Sequence, residues 1–131
     1  MSTGNLSRIL LVEDDPDIQA VARLALEDVG GFTVEVCDGG EDALQKLKRF
    51  TPDLILLDVM MPGMDGPQTL QELRRRSETA TTPVIFVTAK VQTSEKEAYR
   101  ELGAVDVIAK PFDPMELAGT VQEIWDRCSV S

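Results

Sequence analysis

Leu54-Ile55-Leu56-Leu57-Asp58 is a run of four apolar residues that stops on a carboxylate, and the pattern recurs along the chain. Ile9-Leu10-Leu11-Val12 breaks off into Glu13-Asp14-Asp15, Val84-Ile85-Phe86-Val87 into Thr88, and Val105-Asp106-Val107-Ile108-Ala109 into Lys110. Runs this short and this apolar read as strands buried on both faces, which is the condition of a parallel sheet covered by helices. In an open sheet of that kind the carboxyl ends of the strands share one edge, and ligands bind along it. Acids, a hydroxyl and an amine that are distant in sequence therefore converge on one crevice.

Helical patterns alternate with the strands, the mark of a repeated βα unit. Asp15-Pro16 supplies a cap and a first-turn proline, Ile18, Val21, Ala22, Ala25, Leu26 and Val29 keep a helical period, and Gly30-Gly31 ends it. A second, shorter strand is expected at 32–36, followed by a helix carrying Ala43, Leu44 and Leu47. Met60-Met61-Pro62-Gly63-Met64-Asp65-Gly66 reads as a loop, since its proline and glycines bar regular structure. A helix with Leu70 and Leu73 follows it, and a polar helix spans about 93–102. Asp113-Pro114-Met115-Glu116 reads as a capping box opening the last helix. The sum is a single α/β domain of five strands and five helices, spanning 8–128 between a frayed start at 1–7 and a tail at 129–131.

Composition narrows the function. A chain of 131 residues with 43% apolar content can bury a core but holds no second folded unit. No run approaches the roughly 20 apolar residues that cross a bilayer, and no leader opens the chain, so the cytoplasm is the expected location and no membrane partner is expected. A net charge of -10 argues against direct contact with nucleic acid. Arg74-Arg75-Arg76, at the expected end of a helix, reads as a solvated complement to the helix dipole. The two cysteines are far apart, and Cys128 continues the stripe Leu117, Val121, Ile124, Trp125, which points to a buried or half-buried thiol. Histidine is absent, which removes imidazole bases and most zinc sites.

Each strand-end residue has an ordinary structural role of its own. Aspartate caps turns, one of Glu13, Asp14 and Asp15 must cap the helix before Pro16, and Thr88 and Lys110 are unexceptional at a strand end. Together they ask for more. Two carboxylates about 4 Å apart repel by on the order of 4 kcal/mol at an effective dielectric near 20, so a crevice holding several needs a cation or shifted pKa values. Hard oxygen ligands without His or Cys favour Mg²⁺, which keeps waters and shares positions with phosphate oxygens. Lys110 offers a point charge for one phosphate oxygen and Thr88 a hydroxyl for another. An aspartate nucleophile forming an acyl phosphate suits the set, with no dedicated base for rapid hydrolysis.

These segments, with Val87-Thr88-Ala89 and Lys110-Pro111-Phe112, resemble the receiver domain of two-component response regulators from Arg8 to Trp125. The resemblance implies a flavodoxin-like, doubly wound (βα)5 fold with strand order 2-1-3-4-5 and helices on both faces. It implies a non-enzymatic switch whose Asp58 accepts phosphate from a histidine kinase or a histidine phosphotransfer protein, with Mg²⁺ required. Glu13, Asp14, Asp58 and the backbone carbonyl of Met60 become the metal set, Thr88 and Lys110 the phosphate-contacting residues, and Lys110-Pro111 a cis peptide. Signalling would run by protein–protein contact to a downstream protein, from a monomer or weak homodimer. Where the family commonly carries an aromatic ring that turns inward, this chain has Val107, so coupling through the last strand is expected to be weaker, or carried by the loop after Thr88. Met60 and Lys90, each two residues past a site residue, fall at the rim.

The same residues are compatible with other functions. A phosphorelay carrier or a receiver segment of a hybrid kinase shares the fold. A Mg²⁺-dependent phosphohydrolase of the haloacid-dehalogenase type expects a second aspartate where Met60 stands, and a flavodoxin-like cofactor binder expects an uncharged phosphate loop where Glu13-Asp14-Asp15 stands.

Overall fold

The computed structural model describes residues 5–129. Five strands, β1 (Arg8–Val12), β2 (Thr33–Cys37), β3 (Leu54–Asp58), β4 (Val84–Thr88) and β5 (Asp106–Ala109), form one sheet in the order β2-β1-β3-β4-β5. Every neighbouring pair is parallel. The helices are α1 (Pro16–Leu24), α2 (Gly40–Lys46), α3 (Gly66–Arg74), α4 (Thr93–Glu101) and α5 (Leu117–Ser129). This is the doubly wound fold and strand order that the receiver likeness implies.

The pleat sorts the apolar runs into two cores. Ile9, Leu11, Leu54, Leu56, Ile85, Val87 and Ile108 face one way, against Ala22 and Leu26 and the α5 residues Leu117, Val121 and Ile124. Leu10, Val12, Ile55, Leu57, Val84, Phe86 and Val107 face the other way, against Ala43, Leu47, Leu70 and Leu73. A strand buried on both sides cannot alternate polar and apolar residues, which is why the runs are continuous.

Several local expectations shift. The first helix does not stay α-helical to Val29: Ala25–Val29 forms a π turn, in which the Gly30 amide donates to the Ala25 carbonyl at 3.2 Å. β2 starts one residue later than expected because the Phe32 amide donates to Leu26 O instead of the sheet. Part of the stretch expected to fray is held in place: Leu6 is buried, and the amides of Ser7 and Arg8 both donate to Asp53 Oδ2. The rest of the expected fraying, at 1–4, lies outside the described residues, as do 130 and 131 of the expected tail; α5 itself reaches Ser129. Asp113 does accept from the Met115 amide at 2.9 Å, but the Glu116 side chain returns no bond among the described residues, and α5 opens only at Leu117. Cys128 is exposed, contrary to the helical stripe, because α5 leaves the core after Ile124: Asp126 and Arg127 are exposed as well. Arg74 is not a solvated helix end: its guanidinium donates to the carbonyls of Thr79, Thr82 and Gly103.

Candidate functional site

Strand order reverses direction between β1 and β3, and the crevice outside their carboxyl ends is where such sheets bind ligands. Val12 pairs with Leu57 in the register, so the residues that follow, Glu13 and Asp58, stand level with each other. On the far side Thr88 pairs with Ala109, which puts Lys110 one step beyond the end of β4. Parity then decides which side chains meet. Asp58 continues the face of Leu54 and Leu56, Glu13 that of Ile9 and Leu11, and Lys110 that of Ile108.

The contacts follow this placement. Lys110 Nζ lies 3.0 Å from Asp58 Oδ1 and 2.9 Å from Glu13 Oε1. Glu13 and Asp58 are almost wholly buried, at 2% and 3% exposure. Asp14 is exposed, yet Glu13, Asp14 and Asp58 each bring one carboxylate oxygen within 4.8 Å of the others. The second Glu13 oxygen accepts from the Asp15 amide at 3.0 Å, and Asp15 in turn caps α1 by accepting from the Asp17 amide at 2.8 Å. The three acids after β1 therefore divide the work: one is buried, one faces the crevice and one caps the helix.

One ammonium group does not balance three carboxylates. Burial pushes the Asp58 carboxyl up from the ordinary 3.8 to about 6, against the opposing hydrogen bond from Lys110 and with help from the charge of Glu13 and a side-chain hydrogen bond with Asp14. Lys110 is displaced upward, because its bonds to Glu13 and Asp58 outweigh the burial that would lower it. The donor set is all hard oxygen and carries surplus negative charge, so it fits Mg²⁺. Met60, exposed at the start of the following loop, accepts no hydrogen bond at its carbonyl among the described residues.

Thr88 is in the neighbourhood but not in the cluster. It shares the opposite face of β4 with Phe86, and its hydroxyl accepts from the Lys90 amide at 3.1 Å. Its backbone carbonyl accepts from the Lys110 amide at 2.9 Å, and the Lys110-Pro111 peptide is cis. Val107 is buried opposite Phe86 in the register.

Two residues had no role in the sequence reading beyond turn and helix formation. Gln19 on α1 donates to the Glu13 carbonyl at 2.6 Å and to Asp38 Oδ1 at 3.0 Å, which ties the β1 and β2 loops together. A lone glutamine carries no sequence signal for that. Gly66 lies against the backbone of Asp58, where a Cβ would sit 2.6 Å from the Asp58 carbonyl oxygen. A glycine in the first turn of a helix, straight after the capping Asp65, was a signal for such a close approach. Beside the cluster, a groove of about 410 Å³ is lined mainly by Ile18, Val21, Pro111 and Phe112, with Lys110 shared between groove and crevice.

The model of the response regulator receiver domain matches residues 9–122. This chain belongs to that family. The receiver is 35% identical to the response regulator Rre1 of Synechocystis over 94% of this chain and 53% of that protein. It is 39% identical to the phosphate regulon transcriptional regulatory protein PhoB of Escherichia coli K12, over 93% of this chain and 53% of that one. The chain thus spans about half the length of the curated relatives it matches. Among solved structures, the chemotaxis response regulator CheY4 of Vibrio cholerae superposes with a TM-score of 0.84 at 30% identity, covering 92% of this chain and 99% of that one. A CheY-like receiver domain protein from Methanospirillum hungatei gives 0.80 at 28%, covering 94% and 96%. Receivers are phosphoacceptor switches rather than enzymes, which removes the phosphohydrolase and the cofactor binder.

Proposed function

We propose that Asp58 is the phosphoacceptor of a two-component system and that the receiver signals by protein–protein contact. The observation that carries this is the convergence of Lys110 on Asp58 and Glu13, with Asp14 completing an acidic triad, at the reversal point of the sheet. A phosphohistidine of a kinase or phosphotransfer protein would give up its P–N bond as an Asp58 oxygen forms the new P–O bond. The leaving imidazole takes a proton from solvent. Glu13, Asp14 and Asp58, with the Met60 carbonyl, would hold Mg²⁺, which supplies positive charge against the transferring group when bound. Lys110 is positioned to leave Glu13 and stabilise a phosphoryl oxygen, and Thr88 to turn its hydroxyl from the Lys90 amide toward another.

The apolar groove beside Lys110 supports docking of the donor's phosphohistidine-bearing surface. The net charge of -10 supports a protein target rather than nucleic acid. Among the described residues no helix is long and apolar enough to cross a membrane, and we place the receiver in the cytoplasm. A second reading, a receiver segment of a longer regulator or hybrid kinase, is favoured by the half-length coverage of the curated relatives.

The test is Asp58→Asn. Incubation with acetyl phosphate and Mg²⁺ should add one phosphoryl group to the wild-type protein by mass and none to the variant. Labelling retained in the variant would move the acceptor elsewhere.

A further inference from the structure

α4 is the most weakly seated helix in the fold. None of its nine residues is buried, whereas α3, of the same length, buries Gly66, Thr69, Leu70 and Leu73. The side chain of α4 that reaches the core is Tyr99, half-buried against the Phe86 side of the sheet. Its ring meets Phe86 edge-on, with centroids 5.2 Å apart and planes at 72°. Phe86 is fully buried. Arg100 adds a contact to Asp106 at 3.2 Å, but that arginine is half-exposed, and such pairs hold little against water.

Phe86 and Thr88 are two residues apart on β4 and share a face. The Thr88 hydroxyl is held by the Lys90 amide, in the short segment that leads into α4. On the neighbouring strand Val107 pairs with Phe86, and a β-branched side chain there has neither ring nor rotamer freedom to respond. We infer that Tyr99 is the positioning residue that couples the Asp58 pocket to α4: its ring on Phe86 sets where the helix rests, and drawing the Thr88 hydroxyl away from Lys90 shifts that seat. The inference rests on Asp58 being the phosphoacceptor. An edge-to-face pair biases a two-state equilibrium by about two- to tenfold, enough to decide which position α4 occupies.

Tyr99 is the chain's single tyrosine, so its ring resonances assign themselves. Nuclear magnetic resonance spectra are recorded with and without Mg²⁺ and beryllofluoride, a phosphoryl mimic. The Tyr99 ring and the α4 amides should shift together with the Asp58 amide, and the β5 amides around Val107 should shift less. In Tyr99→Leu the Asp58 response should persist while the α4 response falls by about threefold or more. Tyr99→Phe, which keeps the ring, should restore it. A Tyr99 ring that stays still while Asp58 responds, or a Leu variant with the full α4 response, overturns the inference and leaves the acceptor assignment standing. A wild-type Asp58 that does not respond at all removes both.

Discussion

Lys110 Nζ sits 3.0 Å from Asp58 Oδ1, a contact between side chains 52 residues apart in the chain. The same nitrogen is 2.9 Å from Glu13 Oε1, so one cation spans the two buried acids of the crevice. That arrangement is costly without a second cation, because Asp14 brings a further oxygen within 4.8 Å. The fold therefore stores a charge imbalance at its ligand edge, and the protein's stability should report it.

In metal-free buffer, stability should respond to pH through Asp58. Its folded-state value, about 6, lies above the 3.8 of an ordinary aspartate. A group raised in this way contributes stability that is fully present below about pH 4 and is lost as pH rises through about 6. Asp58→Asn removes the buried charge, so at pH 7.5 the variant should be more stable than wild type, by on the order of 2 kcal/mol. At pH 4 the difference should nearly vanish. Urea denaturation of both proteins at the two pH values, with chelator present, measures it, and a gap that does not change with pH would show that Asp58 ionises normally in the fold.

Much of this site was legible because strand ends in a parallel sheet share an edge, so Asp58, Glu13 and Lys110 could be brought together from spacing alone. The two-core packing was equally plain in runs such as Leu54 to Leu57, whose residues have no polar face. What the pattern could not carry was the register between strands. Thr88 ends its strand as Asp58 does, but Asp58 pairs with Val87, so the Thr88 hydroxyl falls on the other face, where it accepts from the Lys90 amide. Arg74, and Gln19 in its bond to Glu13, escaped for another reason: their partners are backbone carbonyls, which every sequence offers everywhere. Cys128 misled because helical period says nothing about where the covering core stops.

Metal binding should depend on the exposed member of the triad. Asp14 contributes a carboxylate oxygen to the cluster but makes no contact with Lys110, so its removal leaves the Lys110 bridge to Asp58 and Glu13 in place. Asp14→Ala should weaken Mg²⁺ binding by at least about tenfold. It should leave apo stability unchanged or slightly raised, since a repelling charge is gone. Calorimetric titration with MgCl₂, alongside a melting curve in chelator, separates the two effects. An unchanged titration would count against the metal assignment.

Gly66 should prove indispensable although it lies outside the acidic cluster. A Cβ built there comes within 2.6 Å of the Asp58 carbonyl oxygen and 2.8 Å of Val59 Cα. Both are backbone atoms, so no change of rotamer relieves the contact. Helix propensity pulls the other way, favouring alanine over glycine by up to about 1 kcal/mol in a helix interior, and less at the first position of α3. Overpacking of this kind costs typically about 1–3 kcal/mol, so Gly66→Ala should be destabilising on balance. Because the strain falls on the Asp58 peptide, labelling by acetyl phosphate should slow as well. Gly39→Ala is the control: its backbone is fully extended at φ 178° and nothing lies within 4 Å of the added carbon. Gly39 caps α2, so this variant should lose no more than about 1 kcal/mol, the difference between glycine and alanine at an N-cap, and should label at the wild-type rate. If Gly66→Ala matched it in both measurements, the close approach of α3 to Asp58 would have no bearing on how the carboxylate is held.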